Sequence, residues 1–151
     1  MKVFETRDAF LSDYEVLQFL SKLERQHHWD EESTLANQKN QRKKIKTHRP
    51  YNHPELQSIT RDTIAYLKSN KSATQEEDAP TTSPISRLND EKFSELVRNL
   101  NQYSLFKAEK LQIVNQLPQS MVHLYSVVEE CDSRFTQEQM ETMLSTIAGY
   151  I

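Results

Sequence analysis

Apolar residues recur at helical spacing along most of this chain, and the points where the recurrence starts and stops predict its elements. Ser12 opens the first clear helix. Ser12 and Glu15 have the spacing of a capping box, with Leu11 and Val16 at the staple positions around it. Val16, Leu17, Phe19, Leu20 and Leu23 then make a wide apolar face, and Phe10 and Tyr14 add bulk at its start. That face is larger than one side of a small bundle needs, so a partner is expected on it. A second helix begins at Pro54, with Asn52 or His53 as its cap, and runs to about Ser69. Leu56, Ile59, Thr63 and Leu67, with Ile64 beside them, form its apolar side. Phe93, Leu96, Val97 and Leu100 mark a third helix behind Asn89 or Asp90.

The stretch from Leu105 to Phe135 is a helical hairpin bent at Leu117-Pro118. Its first arm, with Ser104 as cap, turns Leu111, Val114 and Leu117 inward and Lys107, Glu109, Lys110 and Gln112 outward. Its second arm starts at Gln119 or Ser120 and carries Met121, Leu124, Tyr125 and Val128 to about Cys131. Thr136 and Gln139 form a second capping box, stapled by Phe135 and Met140. Met140, Met143, Leu144 and Ile147 give the last face, and Gly149 suits a helix end.

Neither arm of the hairpin buries its stripe alone. The expected fold is therefore mainly α, with an antiparallel bundle of four to five helices over 89–151, helped by helix 54–68. Residues 69–88 combine Ser, Thr, Pro80 and Pro84 with the acidic run Glu76-Glu77-Asp78, and are expected to be a flexible acidic linker. Residues 1–68 then form a separate partner-docking part. At its start, Val3 and Phe4 suit a short strand. Such a strand must join a sheet from another chain, the bland alternative being a frayed terminus.

Composition narrows the function. One glycine in 151 residues argues against phosphate-cradling loops and a dinucleotide-binding turn. One cysteine, Cys131, excludes an internal disulfide and a cysteine-based zinc site, and suits a reducing compartment. With 36% hydrophobic and 27% charged residues the core must be modest, and no apolar run is long enough for a membrane span. The start of the chain lacks the apolar centre of a secretory signal. A net charge of −3 suggests no general affinity for polyanions. The charge is uneven, however. Lys39, Arg42, Lys43, Lys44, Lys46 and Arg49 follow one another with no acid between them, a run able to meet phosphate or an acidic protein surface. Lys107 and Lys110 offer a second, thinner candidate. No aromatic residues interleave the first run for base stacking, and a solvated loop is the plainer reading.

No catalytic set emerges. His27-His28-Trp29 lacks the i+4 partner of a zinc site and reads as an exposed or partner-packed turn. Glu129, Glu130 and Asp132 read as a solvated acidic edge, His123 as half-buried, Cys131 as unreactive, and Met121, Met140 and Met143 as core. No cofactor is expected.

Four segments carry a resemblance: FLSDYEV at 10–16, RPYNHPELQ at 49–57, LFKAEKLQIVNQLP at 105–118 and MVHLYSVVEECDSRF at 121–135. Together they resemble the smaller stalk subunits of RNA polymerase III, the 17-kDa class of yeasts. A vertebrate relative is also named calcitonin gene-related peptide receptor component. The family is related to the fourth subunit of RNA polymerase II and the archaeal F subunit. The resemblance spans nearly the whole chain and fades at 31–48 and 69–88.

It implies a non-catalytic nuclear subunit, with cytoplasmic presence left open. Its C-terminal bundle would be similar to the HRDC domain of RecQ-type helicases. Its partners would be a larger OB-fold stalk subunit, the polymerase core and the TATA-box initiation factor, in the transcription of tRNA and 5S rRNA genes. The residues expected to meet the larger subunit are Val3, Phe4, Phe10, Leu11, Tyr14, Leu17, Leu105, Phe106, Leu111, Val114 and Leu117. Lys43, Lys44, Lys46, Lys107 and Lys110 are the candidates for weak RNA or DNA contact. Two other readings compete: a free HRDC-like nucleic-acid-binding module, and an adaptor at a peptide-hormone receptor suggested only by the vertebrate name.

Overall fold

Local capping sets most helix starts, and the apolar stripes then decide how the helices pack. A computed structural model describes residues 9–30, 53–69 and 82–151. Helix α1 (Asp13–His27) opens on the expected capping box. The Ser12 amide donates to Glu15 Oε2 at 2.8 Å, and the Glu15 amide donates back to Ser12 Oγ at 3.3 Å. The same end is tied to distant parts of the chain. The Asp13 amide donates to Asn115 Oδ1 at 2.9 Å, and the Tyr14 hydroxyl donates to Asp90 Oδ1 at 2.6 Å. The Tyr14 ring stacks on Phe93 with centroids 4.6 Å apart. At the other end His28 turns left-handed, with φ 56°, and the Trp29 amide returns to the Glu24 carbonyl. Trp29, expected in an exposed or partner-packed turn, is buried.

Helix α2 (Pro54–Lys68) starts at Pro54 behind His53, as the fixed φ of proline favours. It packs along α1 and buries Thr60, Ile64 and Leu67. Leu56 and Ile59, read as part of the apolar side, are exposed, because the buried line lies about one residue further round the helix. An antiparallel bridge then joins Ser69 to Thr82, and the Ser83 amide donates to the Lys68 carbonyl at 2.8 Å. A 3-10 turn (Pro84–Arg87) follows. Its Ile85, and Leu88 just after it, are buried in the core. The apolar residues at the end of the stretch read as linker are thus structural. Residues 70–81 of that stretch lie outside the described residues.

Helix α3 (Asp90–Leu100) is capped by Asn89, whose Oδ1 accepts from the Lys92 amide. Helices α4 (Lys107–Gln116) and α5 (Met121–Val127) form the hairpin. A single turn, α6 (Cys131–Arg134), and α7 (Gln137–Ala148) complete the chain. The second capping box, Thr136 with Gln139, forms as its spacing requires. Several local expectations fail. The cap of α4 is Phe106 rather than Ser104. The second arm ends at Val127 rather than near Cys131, because Val128 is extended and Glu130 is left-handed. Gly149 keeps right-handed angles, so the last helix does not use its freedom. Tyr125 is 42% exposed, and Ile113, absent from the expected inward line of α4, is fully buried.

Leu96, Leu100, Ile113, Leu124, Met143 and Ile147 form the centre, each almost inaccessible to solvent. Tyr14, Leu17, Ile64, Leu67 and Ile85 belong to the same core cluster, so α1, α2 and the bundle share one interior. Among the described residues the fold is mainly α, with seven α-helices and no strand. The short strand expected at 1–7 lies outside them. No helix there is long and apolar enough to cross a membrane.

The Tyr14 hydroxyl gives the first prediction. Burial, reinforced by the bond to Asp90, pushes the phenol up to about 12. A raised phenol stabilises the fold fully below its ordinary value near 10 and loses that contribution as pH rises through about 12. Tyr14→Phe is expected to cost about 1 kcal/mol near neutrality and to flatten this alkaline limb, as read by chemical denaturation at several pH values.

Candidate docking surface

The start of α1 lies against α3 and α4, and the three elements enclose an open groove of about 890 Å³. Leu100 and Val114 are buried at its base, while Phe93, Val97 and Leu111 are half-buried along it. Phe10 also lines it, with 82% of its surface exposed, as do Lys107 and Lys110 of α4. Leu11 (55%) and Phe106 (63%) are also exposed next to the elements that form it. Large apolar side chains held open to solvent by a rigid framework suit docking rather than chemistry.

The framework at Phe106 is held by an ion pair. Glu109 is buried, with 7% of its surface exposed, although the polar pattern of α4 placed it outward. One carboxylate oxygen accepts from the Phe106 amide at 2.8 Å and caps the helix, which is why Phe106 needs no polar side chain. The other accepts from the Glu129 amide at 3.2 Å. Arg134 meets both oxygens with both terminal nitrogens, and donates further to the carbonyls of Ser104 at 2.7 Å and Glu129 at 2.9 Å. The hydrogen bond from Arg134 holds the Glu109 carboxyl below the ordinary carboxylate range against the opposing effect of burial. The clamped guanidinium lies 4.6 Å from the centre of the Phe106 ring and 5.3 Å from that of Phe135.

The residues expected to dock fall into three groups. Phe10, Leu11 and Phe106 are exposed and Leu111 is half-buried at the groove. Tyr14, Leu17, Leu105, Val114 and Leu117 are buried in the chain's own core. Their apolar side chains were readable, but periodicity cannot separate a face that packs internally from one that packs on another chain. Val3 and Phe4 lie outside the described residues, as do Lys43, Lys44 and Lys46. Lys107 is exposed, and Lys110 is half-buried with its Nζ donating to Asn101 Oδ1 at 2.8 Å. Reading the sequence missed Glu109, Arg134 and the groove wall at Phe93 and Val97. The position of Glu109 at the third residue of α4 was a local signal for capping, whereas Arg134 left no signal, being 25 positions away.

The remaining candidates are inert or solvated. His123 is half-buried with Nε2 3.0 Å from Gln116 Oε1. Cys131 is buried with its Sγ 3.3 Å from Met140 Sδ, and burial pushes its thiol up, away from the reactive thiolate. Glu129, Glu130 and Asp132 are exposed. Among the described residues no group of His, Cys, Asp or Glu is arranged to hold a metal ion.

The described residues thus form a helical fold about one core, with an open, partly apolar groove between the start of α1, α3 and α4. Residues 10–151 match the family model described as RNA polymerase Rpb4, and the chain belongs to that family. Two relatives narrow the likeness. The chain is 55% identical over 161 aligned positions to the DNA-directed RNA polymerase III subunit RPC9 of Saccharomyces cerevisiae, covering 99% of each. It is 26% identical over 147 positions to DNA-directed RNA polymerase III subunit rpc9 of Schizosaccharomyces pombe, covering 97% of this chain and 96% of the other.

Proposed function

We propose that this chain is the smaller, non-catalytic stalk subunit of RNA polymerase III. The observation that carries the reading is the end-to-end likeness to the budding-yeast RNA polymerase III subunit, 55% identical over 99% of both chains. On this reading it works in the nucleus. It pairs with the larger OB-fold stalk subunit, joins the polymerase core, and supports initiation at tRNA and 5S rRNA genes through contact with the TATA-box initiation factor. Residues 1–68 include the docking segment, 69–88 join the two parts while Ile85 and Leu88 pack into the shared core, and 89–151 form an HRDC-like bundle.

The contact with the larger subunit uses Val3 and Phe4 together with Phe10, Leu11, Leu111 and Phe106. Tyr14, Leu17, Leu105, Val114 and Leu117 support that surface from beneath, as their burial favours. Exposed apolar side chains on a rigid frame support this division, because such residues carry most of the energy of an interface. Lys107 and Lys110 make a thin positive edge. With Glu129, Glu130 and Asp132 exposed further along the chain, it favours a protein contact over the free nucleic-acid module.

Tagged purification from nuclear extract at high salt, followed by quantitative mass spectrometry, tests the reading. RNA polymerase III subunits are expected at one-to-one stoichiometry, with the OB-fold subunit the last to leave. Recovery of the chain alone, or with membrane receptors, overturns it.

A further inference from the structure

Two helices give the groove its length. α3 lines it with Phe93, Val97 and Leu100, and α4 with Lys107, Leu111 and Val114, each set at i, i+4 and i+7. Seven residues of helix rise about 10 Å, so each helix offers two turns of one face. We propose, resting on the stalk reading, that the groove receives an amphipathic helix of the larger stalk subunit. That helix presents apolar residues at i, i+3 or i+4, and i+7, and acidic residues that pair with Lys107 and Lys110.

A helix fits here where a strand does not. The amides and carbonyls inside α3 and α4 bond within their own helices, so an extended segment finds no edge there to pair with. A docked helix satisfies its own backbone and needs only side chains from its host. Phe93, Val97 and Leu111 are half-buried in the free chain and Phe10 is exposed, which leaves apolar surface for such a helix to cover.

The charge of the lining selects the partner. Lys107 and Lys110 stand three residues apart on α4, and Lys107 lies in its first turn, at the positive end of the helix dipole. Among the described residues neither lysine is paired with a carboxylate. Lys110 Nζ donates instead to the neutral side chain of Asn101. Glu15 is the one acid in the lining, and its carboxylate already accepts from the Ser12 amide and hydroxyl. Two cations are therefore left for carboxylates of a partner. Nucleic acid suits the groove less well. Phe93 gives one ring face to Tyr14, with centroids 4.6 Å apart, and no other side chain of α3 or α4 in the lining carries a ring for a base to stack on.

Zero-length carbodiimide coupling tests the pairing on the unaltered heterodimer. It joins a lysine amine to a carboxylate only where the two meet, and peptide mapping names both. Lys107 or Lys110 is expected to couple to Asp or Glu of the larger subunit, within a segment that carries apolar residues at helical spacing. Coupling only within this chain, or to a segment without that spacing, overturns the proposal. The affinity of the full-length chain for the larger subunit is the second readout. Lys107→Glu with Lys110→Glu is expected to lower it at least about thirtyfold at low salt, and by less as salt screens the pairs. Lys92→Glu with Arg98→Glu makes the same change in net charge at exposed positions outside the groove, and is expected to change affinity by less than about threefold. Equal losses in the two variants, or no loss in the first, overturn the proposal and leave the stalk reading standing. So does a first variant that loses affinity for a uridine oligonucleotide while keeping the subunit, since the lysines then serve RNA. Failure of the unaltered chain to bind the larger subunit at all overturns the stalk reading, and the docked helix falls with it.

Discussion

Phe10→Asp combined with Phe106→Asp is expected to weaken retention of the larger stalk subunit by at least about a hundredfold while shifting the thermal midpoint by no more than about 2 °C. The effect on binding follows from exposure. Phe10 is 82% and Phe106 63% exposed in the free chain, so neither ring contributes much to its own core. Each ring covered by a partner gains about 1.5–3 kcal/mol from burial, and two such losses together exceed a hundredfold in affinity. The small effect on stability follows from the same numbers, because exposed positions usually change stability by within about 0.5 kcal/mol. Leu17→Asp is the contrast. It places a carboxylate in the shared core of α1 and the bundle, so it is expected to unfold the protein and abolish binding indirectly. Circular dichroism melts and co-purification, read together on all three substitutions, separate the cases. Normal retention of the partner by the folded double variant would remove Phe10 and Phe106 from the interface.

How far the sequence reveals this arrangement depends on the distance over which each feature is decided. Ser12 with Glu15, Thr136 with Gln139, Asn89 with Lys92, and Pro54 at its helix start are contacts within four residues, and all were readable. The apolar stripes were readable as stripes, but not always in their rotation. Ile113, outside the expected inward line, is buried, while Ile59 and Phe19 are exposed, because the neighbouring helix settles which part of a wide stripe is covered. The break after Val127 was hidden because it rests on a left-handed Glu130, with φ 48°, rather than on glycine or proline. The groove and the reason Phe10 stands open were hidden too, since both depend on how α1 meets α3 and α4 far along the chain. Glu109 is the clearest case. Its polarity says outward, and only Arg134, brought in by the turn after α5, makes an inward carboxylate tolerable.

Glu109→Ala is for that reason expected to be among the most destabilising single changes in the bundle, at about 2–3 kcal/mol and roughly 5–10 °C in Tm. Four hydrogen bonds to its carboxylate are lost together: the cap of α4, the tie to the Glu129 amide, and the two from Arg134. Arg134 remains partly accessible, at 20% of its side-chain surface, so the cost stays below that of orphaning a fully buried charge. Arg134→Ala in the same chain should add little, because its charge no longer has Glu109 to meet. Costs that simply add would show that the two residues act separately.

The pH dependence gives an independent check. The Glu109 carboxyl is held below its ordinary value, so its contribution is present above the unfolded carboxylate range and disappears as pH falls through the lower folded value. The native chain should therefore lose stability on acidification more steeply than Glu109→Gln, which keeps the shape but does not titrate. Parallel acid limbs would show that the pair contributes no charge interaction. The consequence reaches the docking surface as well. Releasing Arg134 frees the Phe106 ring beneath which it is clamped, so Glu109→Gln should weaken partner binding without altering any exposed residue.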